Sequence, residues 1–321
     1  MRWQPTLTTA GITAPTLRAD YTAASRRVLR RERAPYLALR LLAEPRLVPY
    51  LTAGLAFMNL VDDTAEGPDP ETALRALAAR VDAALAEAAA TGGEGGEGRD
   101  GIDDGDGGDG TGGTTPDAVL RAYAHAVATR GLPRTWIDRF LAGAAGAETT
   151  AGTSGFADEG EFQAYLDAYS WPGILVFTGL QYEGGPTPEQ AAAWRRFVDA
   201  AQRVDFLADL AGDLADGRLC IPRARLDEHG VTRAALAVGA DTPQVRALLA
   251  AECGRARTAL AAAADVVDHA DPGLRRVGRT MIDLMGHQLD LVEAAGTRAA
   301  RRDTGYGLLA PLRILAAARR S

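Results

Sequence analysis

The sequence contains no lysine and few aromatic residues. All 35 basic side chains are arginine, and phenylalanine, tyrosine and tryptophan together account for only 6% of the 321 residues. Aromatic and β-branched residues favour strands, whereas alanine and leucine, which dominate the apolar content here, are strong helix formers. With 47% hydrophobic residues available for a core, the composition predicts an all-α fold.

Cysteine is scarce, and long apolar runs are absent. The two cysteines, Cys220 and Cys253, lack the spacing of a metal site, which indicates a reduced pair. No run reaches the roughly 18 apolar residues that a membrane-spanning helix needs. The first 20 residues also lack the apolar core of a signal peptide. We therefore expect a cytoplasmic protein without integral membrane association.

The negative charge is concentrated in one segment. The formal net charge is −7, and residues 91–116 carry seven acids against one arginine, with Ile102 as the one large apolar side chain. Such a Gly/Asp-rich segment buries too little surface to fold, so we expect a disordered insertion between two helices. The rest of the chain is nearly neutral, and the lack of a basic face argues against a nucleic-acid partner.

Helical periodicity begins near Tyr21. We expect residues 1–20 to form an N-terminal extension and residues 21–321 to form a single helical domain. Pro172, within "SWPG", should kink or break a helix that starts near Glu159. The other expected helices are Val48–Glu66, Glu71–Ala90, Asp117–Arg130, Arg134–Glu148, Pro188–Asp216, Thr242–His269, Gly273–Ala295 and Gly307–Arg319.

Carboxylates recur at helical spacing in "AQRVDFLADLAGDLADGR". Residues three or four apart share one face of a helix, so Asp205, Asp209, Asp213 and Asp216 form a stripe that begins at Gln202. A solvated acidic face is one interpretation, but cations at spacing four are nearly absent, and like charges at that spacing weaken a helix. A divalent cation turns this repulsion into attraction. Carboxylate oxygens with no His or Cys in the stripe suit Mg²⁺.

A second group of acids ends the helix expected over Val48–Glu66. In "NLVDDTAEG", Asp62 and Glu66 are four residues apart, and Asn59 and Asp63 lie on the same side. The sequence therefore has two helical carboxylate clusters that are candidate metal ligands.

The two clusters resemble the two Asp-rich motifs of the squalene and phytoene synthase family. "FMNLVDDTAE" is similar to the first motif. "QRVDFLADLAGDLADGRLCIP" is similar to the second, with Asp209, Asp213, Gly217, Arg218 and Pro222 at matching positions. "RAPYLALRLLAEPR" resembles the family's N-terminal helix pair, and "YLDAYSWPGILVF" resembles its kinked central helix. The resemblance covers most of the chain apart from residues 1–20 and the insertion.

The resemblance implies an isoprenoid synthase fold, in which two acidic motifs face each other across the central cavity of one helical bundle. It also implies two or three Mg²⁺ ions that bind a prenyl diphosphate and draw the pyrophosphate away, which leaves an allylic carbocation. The implied metal ligands are Asp62, Asp63, Glu66, Asp209 and Asp213, and all of these except Asp63 are also the implied catalytic acids. The expected pyrophosphate contacts are Arg33, Arg218 and one of Arg301 or Arg302. The other candidate substrate contacts are Asn59, Tyr169, Trp171 and Gln202, and the last three would line the cavity.

The sequence departs from the family's motifs at several positions. Asp205 and Ala208 stand where the second motif has Asn and Arg, and Asn59 stands where the first motif has Arg. Each charge-assisted contact is worth roughly 1.5–3 kcal/mol, so the loss of two arginines favours a site that holds one diphosphate. Tyr169 and Trp171 place bulky rings near the kink, where the family has small residues. Such rings would shorten the cavity and could stack on a flat acceptor.

A branch of this family transfers a prenyl group to an aromatic acceptor such as a carbazole. The departures favour this function in specialised metabolism, with one prenyl diphosphate donor, a small-molecule acceptor, and Asp205 as a catalytic base toward the acceptor. The alternative is head-to-head condensation of two prenyl diphosphates to a C30 or C40 product. Cyclisation of one donor, and a catalytically inactive partner of another synthase, stay open. We expect a monomer or a homodimer.

Overall fold

A computed structural model describes residues 2–90, 115–151, 155–302, 304 and 318. Helices dominate this part of the chain, and no strand occurs within it, which confirms the all-α prediction. The α-helices are α1 (Trp3–Thr9), α2 (Pro15–Arg31), α3 (Arg33–Leu42), α4 (Val48–Ala65), α5 (Pro70–Ala90), α6 (Pro116–Arg130), α7 (Arg134–Ala151), α8 (Glu159–Tyr165), α9 (Trp171–Thr178), α10 (Pro188–Ala208), α11 (Leu210–Ala215), α12 (Arg223–Glu228), α13 (Arg233–Ala237), α14 (Pro243–Ala263), α15 (Val266–His269) and α16 (Arg275–Ala295). A π-helical turn spans Leu166–Ser170, and 3₁₀ turns span Gly179–Gln181, Pro272–Leu274 and Gly296–Ala300.

The described residues form two compact units, of which the first contains residues 2–40, 44–90, 115–133 and 176–185. Its core lies between α2, α4 and α6, where Tyr21, Phe57 and Tyr123 are at most 1% exposed. Phe57 stacks on Tyr123 with ring centroids 4.0 Å apart. Gly54 allows a close approach within this unit, because a Cβ there would lie 2.6 Å from the Cα of Phe177. The apolar, small-residue composition of α4 therefore matches a helix that is buried on most of its faces.

The second unit contains residues 41–43, 134–151, 155–175 and those from 186 onward. Its long helices α10, α14 and α16 pack against one another. α10 begins with a capping box, in which the side chains of Thr187 and Gln190 each accept from the other's backbone N–H, and Pro188 occupies the first turn. Leu236 and Leu248 are fully buried in the apolar cluster beside α11. This unit carries the second acidic motif.

A π-helical turn interrupts the helix that starts at Glu159. The N–H of Trp171 donates to the carbonyl of Leu166, five residues earlier. Pro172 follows with no N–H of its own, so it contributes no donor to the helical ladder at this point. The interruption thus lies at Leu166–Ser170, just before the expected position, and Pro172 itself lies in the first turn of α9; π turns are frequent at functional sites.

The predicted helix boundaries agree with the structure where the sequence is strongly periodic. α4, α6 and α16 begin and end within two residues of the prediction. The prediction of one helix over Pro188–Asp216 is wrong, because the chain turns at Asp209 (φ −90°, ψ 3°), which separates α10 from α11. α12 and α13 have no counterpart among the predicted helices, because they are too short to establish a periodic pattern.

Some predictions fall on residues outside those described. The insertion expected at about 91–116 lies almost wholly outside them, although Thr115 caps α6 by accepting from the N–H of Ala118. The helix expected over Gly307–Arg319 also lies almost wholly outside. The N-terminal extension and the single domain over 21–321 stay predictions. Within the described ranges, none of the helices has the combined length and hydropathy that a membrane span requires.

Candidate functional site

The first acidic motif lies at the end of α4, where Asp62 and Asp63 occupy the last turn and Glu66 follows the helix. Carboxylates at a helix C-terminus meet the negative end of the helix dipole, so nearby cations are favourable. The last turns of α2 supply them. Arg27 and Arg31 pair with different carboxylate oxygens of Asp63, and Arg31 also pairs with Glu66 at 3.3 Å. Arginine side chains therefore occupy the first motif in this structure.

Buried polar atoms without partners lie beside this motif. Asn59 is 0% exposed, and neither atom of its amide makes a hydrogen bond of normal geometry to the described residues. The Nε of Arg27 is also buried and without a partner, while its Nη2 donates to the carbonyl of Asn59 at 3.3 Å. Glu32 interacts with the Asn59 side chain, which lowers the pKa of Glu32, but burial and the charge of Asp62 outweigh this and raise the pKa. This corner of the first unit is acidic and short of hydrogen-bond partners.

The second acidic motif extends from α10 into α11. Asp213 on α11 is 7% exposed. Its Oδ1 accepts from Nε and Nη2 of Arg218 at 3.1 and 2.9 Å, and its Oδ2 accepts from the thiol of Cys220 at 3.3 Å. Gly217, at φ +76°, makes the left-handed turn that brings Arg218 back to Asp213. Both oxygens of Asp213 are thus occupied by donors of the same unit.

Asp205 differs from Asp213 because, among the described residues, no ion pair neutralises it. Burial raises the pKa of Asp205 to about 6, with further contributions from the charges of Asp209 and Asp213. Asp205 nevertheless lies at an exposed position. The amide nitrogen of Gln202 donates weakly to Asp205 at 3.5 Å, and the hydroxyl of Ser170 donates to Gln202 Oε1 at 3.0 Å. A hydrogen-bonded relay therefore connects the π turn to the acidic stripe.

An open cavity of about 220 Å³ lies over the second motif. Its lining residues are Ala208, Asp209, Gly212, Asp213, Asp216 and Arg218. A water molecule in the liquid takes about 30 Å³, so the cavity has room for roughly seven waters, or for a hydrated ion beside a phosphate group. Arg218 is the basic side chain in this lining, because position 208 presents only a methyl group.

The two predicted aromatic residues lie in an aromatic cluster of the second unit. The indole Nε1 of Trp171 donates to the carbonyl of Ala191 at 3.1 Å, and its ring lies edge-on to Trp136 at 5.1 Å. The guanidinium of Arg139 lies over both tryptophan rings, 4.9 and 5.1 Å from their centroids. Tyr169 lies 5.5 Å from a second ring on α7. Their contact with substrate stays a prediction.

The remaining predicted contacts lie at exposed positions. Arg33 is the first residue of α3, in the first unit. Arg301 and Arg302 follow the last 3₁₀ turn, in the second unit, where Arg301 packs against Gly239. The structure brings Asn59 together with the first motif and Gln202 together with the second. Whether Asp62 and Asp209 share a ligand stays a prediction.

The donor chemistry of both motifs fits a hard divalent cation, because the available ligands are carboxylate and amide oxygens. Burial is the main cause of the raised pKa values of Asp205 and Glu32, and neighbouring carboxylates add to both. Within the described ranges, however, no three His, Cys, Asp or Glu side chains are placed to hold an ion together. Arginines occupy Asp63 and Asp213. A divalent ion would therefore have to displace arginine side chains from these carboxylates.

Sequence reasoning missed several residues of these sites. Arg27 and Arg31 are visible as a repeat of spacing four in "RRVLRRER", but nothing in the sequence identifies Asp63 as their partner. Cys220 and Ser170 carry no motif signal, and only the folded chain shows that they contact Asp213 and Gln202.

The comparisons with known proteins agree with this arrangement of helices and motifs. A model of the squalene/phytoene synthase family matches residues 29–306. No curated protein matches the chain in a sequence search.

Solved structures share the fold. The chain is similar to squalene synthase HpnC from Alicyclobacillus acidocaldarius, with 22% identity, a TM-score of 0.66 and 97% of both chains covered. A dehydrosqualene synthase solved with a ligand has 15% identity and a TM-score of 0.75, over 95% of this chain and 96% of that one. YisP from Bacillus subtilis has 14% identity and a TM-score of 0.65, over 94% and 96%. These similarities confirm the all-α isoprenoid synthase fold.

Proposed function

This chain belongs to the squalene/phytoene synthase family, and from that premise we propose a magnesium-dependent prenyltransferase. It ionises one prenyl diphosphate and transfers the prenyl group to an aromatic, carbazole-like acceptor. The family and the structural neighbours support the coarser statement, which is an isoprenoid synthase that uses a prenyl diphosphate. The number of diphosphates and the identity of the acceptor are our proposal.

The observation that carries the single-donor proposal is the small number of basic side chains that line the cavity over the second motif. Ala208 lines this cavity at the position where the family motif has arginine, so Arg218 is its basic side chain. Position 59 is likewise a fully buried asparagine instead of an arginine. A site that binds and ionises two diphosphates needs cations for both. Arg27 and Arg31 supply cations beside the first motif, so the loss that favours one diphosphate is the one at position 208.

The acids of both motifs would hold the metal. Asp62, Asp63 and Glu66 would serve in the first unit, and Asp209 and Asp213 in the second, for two or three Mg²⁺ ions. When bound, the ions supply Lewis-acid stabilisation of the pyrophosphate leaving group. The apolar character of the surrounding helices would shield an allylic cation from water.

Transfer to an aromatic acceptor requires a base. The C–O bond of the donor breaks with its electron pair on pyrophosphate, a bond forms between the prenyl carbon and the acceptor, and the acceptor then loses a proton. Asp205 suits this step, because a carboxylate with a pKa of about 6 is ionised at neutral pH and more basic than an ordinary aspartate. Trp171 and Tyr169 would stack on the acceptor.

Head-to-head condensation is the alternative, and the names of the solved neighbours, squalene synthase HpnC and a dehydrosqualene synthase, favour it. Donors of five to twenty carbons, incubated with Mg²⁺ with and without aromatic acceptors and analysed by mass spectrometry, separate the two functions. The proposal expects a product with the mass of acceptor plus prenyl minus one hydrogen. A C30 or C40 hydrocarbon from farnesyl or geranylgeranyl diphosphate alone would reject it.

Matched variants connect the product to the motif. Asp209→Asn should abolish product formation, because it removes a proposed metal ligand. Asp216→Asn removes an equal charge from the same stripe, but from a carboxylate that is not a proposed metal ligand and that pairs with Arg218 at 3.3 Å, and it should retain most of the activity.

A further inference from the structure

We infer that Thr304, held by Gln288, is a positioning residue of the second acidic motif, because its hydroxyl fixes the point at which α10 ends and α11 begins. The inference rests on the proposed function, since it assigns this role toward residues that would bind the diphosphate and its metal ions. All of the side chains concerned lie in the second unit. Thr304 and its partner on α10 are 96 residues apart in the chain, so no motif spacing indicates the contact.

A chain of hydrogen bonds links α16 to the end of α10. The Nε2 of Gln288 donates to the carbonyl of Thr304 at 2.8 Å and lies 3.3 Å from the Thr304 hydroxyl. This hydroxyl donates to the carbonyl of Ala208 at 3.2 Å. The carbonyl of Thr304 can only accept, so the nitrogen of the Gln288 amide has to face it. Gln288 thus holds Thr304 in place and leaves the hydroxyl proton directed at Ala208.

The last acceptor of this chain is a carbonyl at a helix end. Ala208 is the final residue of α10, and the carbonyls of a last turn have no partner within their helix. Gln288, Thr304 and Ala208 are all buried, so this carbonyl needs a partner from the protein or from a buried water. Without the Thr304 hydroxyl, it can accept from the N–H of Gly212, four residues later. That bond would continue α10 through Asp209 and remove the break.

The residues just before Thr304 also pack against α11. This helix spans six residues, Leu210–Ala215, too few to be stable in isolation. Leu210 belongs to the apolar cluster that includes Ala300, and the 3₁₀ turn Gly296–Ala300 contacts α11. The position of α11 therefore depends on an apolar contact at Ala300 and on the hydrogen bond from Thr304 to the end of α10.

The break matters to the motif because acids lie on both sides of it. Asp205 lies on α10, Asp209 at the break and Asp213 on α11, and the charges of Asp209 and Asp213 both act on Asp205. Like charges this close repel one another, so other contacts have to hold the segment together. The hydrogen bond from Thr304 supplies such a restraint. Residues that are already in place bind a ligand more tightly, because they lose less freedom on binding.

Thr304→Val tests this role, because valine keeps the shape of threonine and removes the hydroxyl. Amide exchange in residues 209–216 should rise, as measured by hydrogen–deuterium exchange mass spectrometry on the full chain. Calorimetry should show that inorganic pyrophosphate at saturating Mg²⁺ binds about 5- to 10-fold more weakly. Thr304→Ser keeps the hydroxyl and should bring both values back to within about twofold of the wild type. Gln288→Met removes the donor to Thr304 and should reproduce the effects of Thr304→Val.

Thr297→Val is the matched control. Thr297 and Thr304 are equally buried, each 9% exposed, but the hydroxyl of Thr297 donates to Asp241 at 3.4 Å and not to α10. Both valine variants lose one hydrogen bond and should lower Tm. Thr297→Val should nevertheless leave the exchange in residues 209–216 and the pyrophosphate affinity within about twofold of the wild type.

The outcomes separate this inference from the proposed function. If the wild type binds pyrophosphate, the inference is overturned when Thr304→Val leaves the affinity within twofold, or when both valine variants weaken it equally. Weaker binding with unchanged exchange in residues 209–216 also overturns it, because Thr304 would then act on Arg301 or Arg302 before it. A wild-type chain that does not bind pyrophosphate even with Mg²⁺ overturns the proposed function, and the exchange in residues 209–216 alone then decides whether Thr304 positions α11.

Discussion

Replacing Asp205 by asparagine should stabilise the metal-free protein at neutral pH. Burial, with the charges of Asp209 and Asp213, raises the pKa of Asp205 from 3.8 to about 6. One pKa unit corresponds to about 1.4 kcal/mol, so the full shift sets an upper limit of about 3 kcal/mol. The side chain is partly open to solvent, and screening reduces this cost to about 1 kcal/mol. Asparagine keeps the shape of the side chain and removes the charge.

The sign of the effect depends on pH. The folded protein binds the Asp205 proton more tightly than the unfolded chain does, since the folded pKa of this acid is the higher one. Stability therefore falls as the pH rises from about 4 to about 6, and the whole cost is present above 6. The variant should gain its full advantage at pH 7.5 and none below about pH 3, where Asp205 is protonated in both states.

Thermal unfolding without Mg²⁺ at pH 4.5, 6.0 and 7.5 measures this difference. A gain of 1 kcal/mol raises Tm by about 2–4 °C in a domain of 150–250 residues. Asp216→Asn is the control, and it should not raise Tm, because Asp216 already pairs with Arg218. The reasoning is refuted if Asp205→Asn melts below the wild type at pH 7.5, or if its effect is the same at pH 4.5 and pH 7.5.

Two further predictions concern the π turn. Gly143→Ala should destabilise the protein by about 1–3 kcal/mol in chemical denaturation, because its Cβ would lie 2.0 Å from the carbonyl oxygen of Ala168. Gly146→Ala, whose Cβ would meet nothing within 4 Å, should be neutral or stabilising. Ser170→Ala should lower kcat for prenyl transfer about 2- to 10-fold without changing pyrophosphate affinity, because Gln202 loses the donor that orients its amide. Ser170→Thr keeps the hydroxyl and should restore the rate; equal rates for the alanine variant and the wild type would contradict the relay.

The sequence determines the helices well wherever apolar residues repeat without interruption. α4 was predictable because its apolar run begins after one proline and ends before "GPDP". The turn at Asp209 was not, because the acidic spacing of four continues across it while the backbone leaves the helix for one residue. Side-chain periodicity therefore does not reveal an interruption of the helix when the acidic residues keep the same spacing on both sides of it.

The acids of the site were predictable from spacing, but their partners were not. Asp213 and Arg218 belong to one motif, so their pairing follows from a short turn at Gly217. Arg27 and Asp63 are 36 residues apart in the chain, and only the packing of α2 against α4 brings them together. In the sequence, Asn59 stands where the family motif has a cationic side chain. The structure shows that Arg27 and Arg31 of α2 lie beside the same motif.

The two arginines of α2 beside the first motif change what the asparagine at position 59 implies. An arginine on α4 would stay beside the first motif whether or not an ion is bound. Arginines on α2 that pair with Asp63 are free for an anion only after the carboxylate has another partner. The second unit has a similar arrangement, since Arg218 forms an ion pair with Asp213 at 2.9 Å. In both units an arginine is the counter-ion of a proposed metal ligand, so an anion that binds these guanidinium groups has to compete with the carboxylates.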